Sequence, residues 1–136
     1  MMSAVVRKII STTKAPAAIG PYSQAVLINK TLYISGSLGL VPETGVFAGN
    51  NVKDQAEQSL KNIGSILEAA GISYKNVIKT TILMADMKDF AVVNEVYKKY
   101  FTERYPARTS FQVAGLPLNA LVEIEAIAVI CDIKDE

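Results

Sequence analysis

Leu121–Asp132 reads LVEIEAIAVICD, and its alternation decides what kind of sheet this chain can build. Successive side chains on a strand point to opposite faces. Val122, Ile124, Ala126, Ala128 and Ile130 therefore share one side, while Ile127 and Val129 share the other with Glu123 and Glu125. Both sides are largely apolar, so this strand needs cover above and below. The two carboxylates are candidates for chemistry. A carboxyl removed from water without a partner has its pKa raised, toward the range where it exchanges protons with water near neutrality. The alternative is that one of them neutralises Arg108 or a lysine.

The rest of the chain supplies cover for only one of those sides. Val5–Ser11 is a β-branched strand candidate, and Ala15–Ser23, APAAIGPYS, is an irregular connection marked by Pro16, Gly20 and Pro21. Ser23–Ile28 and Leu32–Gly36 read as a hairpin turning at Asn29-Lys30. Helical spacing predicts a helix over Val52–Ala70, capped by Asn51 and closed by Gly71. Its apolar residues Val52, Ala56, Leu60, Ile63, Leu67 and Ala70 step by fours and threes, with charges opposite. Val77–Ala85 is a strand. A second helix runs from about Phe90 to Phe101 near an Asp89 cap, with a stripe of Phe90, Val93, Tyr97, Tyr100 and Phe101 that also contains Asn94. Thr109–Ala114 and Leu121–Asp132 close the order. This is an α+β pattern: a sheet with two helices, enough for one face. The uncovered face is expected to be buried against other subunits.

At 136 residues the chain fits one domain, residues 1–136. Half of it is hydrophobic, yet charged or polar residues interrupt every run before the ~18 apolar residues of a membrane span. The net charge of +1 provides no field to collect nucleic acid or anionic lipid. Residues 1–42 carry Arg7, Lys8, Lys14 and Lys30 and no acid, which raises a mitochondrial presequence as an alternative to a cytoplasmic location. Against it, VRKIIST looks strand-like and continues without a linker. The single Cys131 suits a reducing compartment. There is no histidine, which removes Ser-His-Asp and Cys-His nucleophile pairs and nearly all catalytic zinc sites. Chemistry must then come from Arg, Lys, Tyr, Ser, Thr, carboxylates, backbone amides and water.

Tyr105–Pro117, YPARTSFQVAGLP, carries the first such candidate. Arg108 and Ser110 share the less apolar face of a short strand, with Arg108 at its entry. A guanidinium there can hold a carboxylate through two charge-assisted bonds, or serve in a structural ion pair. Tyr22 follows the stiff Gly20-Pro21 turn and is either aimed into a cleft or buried. Ser35-Gly36-Ser37 offers close backbone approach to a ligand, or a bulge. Asn94 either ties down backbone or reaches a site. No phosphate-cradling spacing is present.

Taken together, APAAIGPYSQAV, LYISGSLG, DFAVVNEVYKKYF and YPARTSFQVAGLP…VEIEAIAV closely resemble the RidA family (reactive intermediate deaminase, or YjgF and perchloric-acid-soluble protein), from about Val6 to Ile130. The resemblance implies a chorismate-mutase-like mixed sheet with two helices on one face. It also implies a homotrimer around a barrel-like core, with active sites in clefts between subunits. Such proteins hydrolyse enamines and imines, 2-aminoacrylate and 2-aminocrotonate among them, to 2-keto acids and ammonia, sparing pyridoxal-phosphate enzymes. Arg108 then matches the residue gripping the substrate carboxylate, Glu123 the one that activates water, and Tyr22 a pocket tyrosine. Ser35, Gly36 and Asn94 match pocket positions, and Ser110 a position whose N–H faces the ligand. Many relatives have cysteine at Ser110 and glutamine at Ser37. No metal, cofactor or covalent nucleophile is called for. The alternatives are an endoribonuclease or inhibitor of translation, disfavoured by the missing histidine and low charge, and a non-enzymatic ligand-binding or chaperone-like role that would leave Glu123 dispensable.

Overall fold

The computed structural model describes residues 2–136. Six strands form one mixed sheet: β1 (Arg7–Ile10), β2 (Ala25–Ile28), β3 (Thr31–Leu38), β4 (Val77–Met84), β5 (Ala107–Gln112) and β6 (Val122–Val129). Their spatial order is β1-β2-β3-β6-β4-β5. All neighbours are antiparallel except β4 and β5, which run parallel. A parallel pair needs a crossover, and α2 (Phe90–Tyr100) provides it. The longer helix α1 (Val52–Ala69) connects β3 to β4.

Local chemistry sets the element ends. Asn51 caps α1, its side chain accepting from the Asp54 N–H at 2.9 Å. Gly71, with φ at +80°, follows the final turn in the left-handed conformation that glycine takes cheaply. Asn29 takes φ +52° in the tight turn from β2 to β3. Asp89 precedes α2 but makes no side-chain cap bond; Asp86 instead caps the short 3₁₀ turn Met87–Asp89.

The apolar stripe of α1 is buried as its spacing requires. Ala56, Leu60, Ile63 and Leu67 pack in one core with Val93 and Val96 of α2 and with Val122, Ile124, Ala126 and Ala128 of β6. Both helices thus lie on one face of the sheet. On the other face Tyr33 is half exposed, Phe111 is 45% exposed and Glu125 is exposed, so no element among the described residues covers that side. Several polar residues of α1 also point inward. Ser59 donates to the Ser37 carbonyl at 2.8 Å, and Asn62 donates to the carbonyls of Leu38 and Leu40. These bonds satisfy backbone acceptors where the chain leaves β3.

The main shift from the sequence expectation is in β5. It starts at Ala107 rather than Thr109, which puts Arg108 inside the strand, opposite Thr80 of β4. The first strand is also shorter than Val5–Ser11, because only Arg7–Ile10 finds a register on β2.

Candidate active site

Arg108 projects from β5 toward the helices, since its register partner Thr80 is fully buried on that face. Its guanidinium carbon lies 5.5 Å from the centre of the Phe90 ring and 4.9 Å from that of Tyr97, both on α2. Among the described residues no ion pair includes Arg108. The structural ion pair and the Glu–Arg neutralisation allowed by the sequence are therefore not what this fold builds. Asn94 sits between Phe90 and Tyr97 on the same stripe, and Ser110 shares the Arg108 side of β5. Asn94 Oδ1 and Ser110 Oγ are screened from solvent and have no hydrogen-bond partner. Leaving such a group unpaired costs about 1–3 kcal/mol, and both lie on the side of the sheet to which Arg108 projects.

A second cluster forms where β3 is irregular. The register against β6 shifts between Ile34 and Ser37, a bulge of the kind that re-aims side chains beside sites. Gly36 lies in it, pressed against Glu123. A Cβ added to Gly36 would fall 2.6 Å from Glu123 Oε1 and 2.8 Å from its Cδ. A larger residue here would have to push the Glu123 side chain aside. Burial raises the Glu123 pKa, and the neighbouring Glu125 charge adds to the rise. Ser35 and Tyr22 flank the same region and line a cavity of about 40 Å³ with Gly36. That is room for water rather than for a small organic acid.

The individual side chains refine what the motifs implied. The Ser35 hydroxyl is already committed, donating to the Ser23 carbonyl at 2.6 Å, so Ser35 shapes the wall. The Tyr22 oxygen accepts from the Ile19 N–H at 3.2 Å, which leaves its own proton free to donate. Gln24, which the motifs did not single out as functional, grips the Tyr22 loop from beneath: it accepts from the Thr12 N–H and donates to the Thr12 and Pro16 carbonyls. Phe90, Tyr97 and Thr80 were legible only as core residues, because nothing local in the sequence ties them to Arg108.

Arg108 and Glu123 do not meet within a chain. Arg108 pairs with Thr80, whose β6 neighbour is Ala126 on the helix side; Glu123 pairs with Leu83 and projects from the open side. Two strand positions and the thickness of the sheet separate them. One chain holds two separate clusters: Arg108 with Asn94 and Ser110, and Glu123 against Gly36, which shares a small cavity with Ser35 and Tyr22.

A glycine replacement tests the second cluster. Gly36→Ala should fold, because the atom it meets is the far end of a side chain. It should nevertheless push the Glu123 carboxyl aside and lower kcat by about a hundredfold, the scale of a displaced catalytic group. Steady-state rates with a melting curve check this; an unchanged kcat removes Glu123 from the site.

A family model described as Endoribonuclease L-PSP matches residues 12–130. The chain is 59% identical over 128 residues to the 2-iminobutanoate/2-iminopropanoate deaminase of Mus musculus, covering 94% of this chain and 95% of that protein. Among solved structures, RidA from the Antarctic bacterium Psychrobacter sp. PAMC 21119 is 50% identical, with a TM-score of 0.88 and coverage of 90% and 99% of the two chains. E. coli TdcF with bound serine is 47% identical, with a TM-score of 0.86 and coverage of 90% and 98%.

Proposed function

The chain belongs to the endoribonuclease L-PSP family, the RidA family of its sequence motifs, and on that premise we propose that it is a deaminase hydrolysing 2-imino acids such as 2-iminobutanoate and 2-iminopropanoate to 2-keto acids and ammonia. The observation that carries this reading is Arg108: an unpaired guanidinium, seated on two aromatic rings, beside two polar atoms without partners. That arrangement fits a small carboxylate that brings its own hydrogen-bonding groups. The curated relative's name supplies the reacting group, a C=N bond.

The chemistry follows from the residues at hand. Arg108 binds the substrate carboxylate through two parallel bonds and fixes the imine carbon. Glu123 takes a proton from a water molecule as its oxygen attacks that carbon, giving a carbinolamine. Glu123 passes that proton to the nitrogen and takes up the hydroxyl proton as the C–N bond breaks, so the 2-keto acid leaves and the departing ammonia carries off the last proton as ammonium. Asn94 Oδ1 accepts from the substrate nitrogen, Ser110 contributes its backbone N–H, and the Tyr22 O–H hydrogen-bonds to the oxygen that becomes the keto group. Protonated imines are already electrophilic, so positioning and one base suffice without metal, cofactor or covalent nucleophile.

The two clusters combine between chains. We assign the open sheet face, with Tyr33 and Phe111 exposed on it, to the core of a homotrimer with a barrel-like centre. The Arg108 group of one subunit then meets the Glu123 group of the next in an intersubunit cleft. Cys131, the one cysteine, suits the reducing cytoplasm. No helix among the described residues is long and apolar enough to cross a membrane.

The family label does not carry RNA cleavage to this chain. Its net charge is +1 and it has no histidine to move a 2′-hydroxyl proton. An assay separates the readings: an amino-acid oxidase generates 2-iminobutanoate in the presence of semicarbazide, and the protein should lower semicarbazone formation in proportion to its concentration. No effect of the wild type overturns the deaminase reading; RNA cleavage lost in Glu123→Gln would support the other. The same assay reads pH. Glu123 must be ionised to act as base, and its pKa is raised, so activity should fall as pH drops through that raised value. Glu125→Gln removes one source of the rise and should move the acidic limb to lower pH. Stability runs the other way. Because folding raises the Glu123 pKa, this residue's contribution is lost as pH rises from the unfolded carboxyl value through the folded one.

A further inference from the structure

Arginines that bind substrate carboxylates are often held by an acidic neighbour, and that neighbour competes for the same N–H edge. Here the support is of another kind. Phe90 and Tyr97 lie seven residues apart on one stripe of α2, and the guanidinium sits over both rings. A cation held over ring faces is supported without a hydrogen-bond acceptor, which leaves its N–H donors unspent.

The ring under the guanidinium is itself fixed. The Tyr97 hydroxyl shares a 2.8 Å hydrogen bond with Thr80 Oγ1, and Thr80 is 0% exposed. Thr80 is also the register partner of Arg108 across the parallel pair. The residue that anchors the ring thus sits on the strand beside the arginine the ring supports, closing a loop from Arg108 to Tyr97 to Thr80 and back through the sheet. A phenylalanine would fill the same core volume, so the hydroxyl is a specific tether. Burial raises the Tyr97 pKa, outweighing the Thr80 bond and the Arg108 charge, so the phenol stays neutral and offers no anion to capture the guanidinium.

We propose that Tyr97, tethered by Thr80, and Phe90 are positioning residues that hold Arg108 over their rings without an acceptor, so that its donors stay open, making the site select free carboxylates over esters and amides. This rests on the deaminase reading for the identity of the substrate, but not for the preference between acid and ester.

The test uses the full chain with Tyr97→Leu, Tyr97→Phe, Thr80→Val, Arg108→Ala and the double variant Arg108→Ala with Tyr97→Leu, each shown folded by thermal melt. Two quantities are measured: the apparent KM and kcat for 2-iminobutanoate, and calorimetric binding of 2-oxobutanoate and of its methyl ester. Tyr97→Leu should raise KM about tenfold with kcat changed less, and weaken binding of the acid about tenfold while leaving the ester unchanged. Tyr97→Phe and Thr80→Val, which keep the core filled, should give about two- to threefold in the same direction, so the outcome does not hang on one disruptive variant. In the Arg108→Ala background, Tyr97→Leu should cost nothing more. Equal losses for acid and ester, or the same loss with and without Arg108, would reduce Tyr97 to a packing residue and overturn the inference. Wild-type protein that prefers acid to ester but turns over no imine would instead sink the deaminase reading and leave this one standing.

Discussion

Arg108→Ala is expected to lower kcat/KM for a 2-imino acid by about a thousandfold, the cost of removing a bidentate charge-assisted partner from a desolvated carboxylate. Its melting temperature should fall by only a few degrees. Stability and activity separate here because Arg108 belongs to no ion pair among the described residues. The fold loses only its contacts with Phe90 and Tyr97, worth about 0.5–1 kcal/mol each at partly exposed sites, whereas a thousandfold in rate is about 4 kcal/mol. Arg108→Lys sharpens the result. It keeps the charge but replaces the planar fork with a point cation that cannot stack in the same way, so it should recover only part of the loss. The imine assay with both variants, paired with melting curves, checks this. An Arg108→Ala protein of full activity would remove the anchor on which the site is built; a large fall in melting temperature would mean that Arg108 is structural after all.

The reason this separation could not be read from the sequence lies in which relations are local. The α1 stripe, its Asn51 cap and Gly71 stop, the Asn29 turn and the alternation of β6 each involve residues a few positions apart, and each took the form its spacing predicts. Ser35, Gly36, Asn94, Ser110 and Glu123 also fell on the strands and helix expected for them. What the spacing leaves open is the pairing. β6 inserts between β3 and β4, an arrangement fixed by contacts across tens of residues. Alternation tells that Arg108 and Ser110 share a side, and that Glu123 and Glu125 share a side, but not which side faces the helices. Only the registers Thr80 with Arg108 and Leu83 with Glu123 settle that the two groups are on opposite faces. The start of β5 was misplaced for the same cause: Ala107 and Arg108 are strand because β4 lies beside them, not because of their own propensity. The Thr80–Tyr97 tether spans 17 residues and has no sequence signature. The committed hydroxyl of Ser35 was hidden likewise, since its acceptor is a carbonyl 12 residues earlier.

The opposite placement of Arg108 and Glu123 gives the second large prediction. Arg108→Ala and Glu123→Gln proteins should each be nearly inactive alone. Mixed in equal amounts, unfolded and refolded together, they should regain about a quarter of wild-type activity, provided positioning and base both come from paired sites as in an intact cleft. The fraction follows from the proposed trimer. If each cleft takes Arg108 from one subunit and Glu123 from the next, it works only when the first carries the glutamine and the second carries the alanine. Random assembly brings that about in one arrangement of four. Were both residues drawn from the same chain, no arrangement would hold an intact pair and the mixture would stay inactive. Mixing folded proteins without unfolding supplies the control, since activity should then appear only as fast as subunits exchange. The sheet geometry already disfavours the same-chain outcome, because bringing Glu123 to Arg108 within one chain would require a carboxylate to pass through a strand layer whose other side is packed with Ile124, Ala126 and Ile82. Recovery in the refolded mixture would therefore locate the chemistry between subunits, and its absence, with both single variants inactive and the mixed trimers shown to form, would break the proposed cleft while leaving each cluster as described.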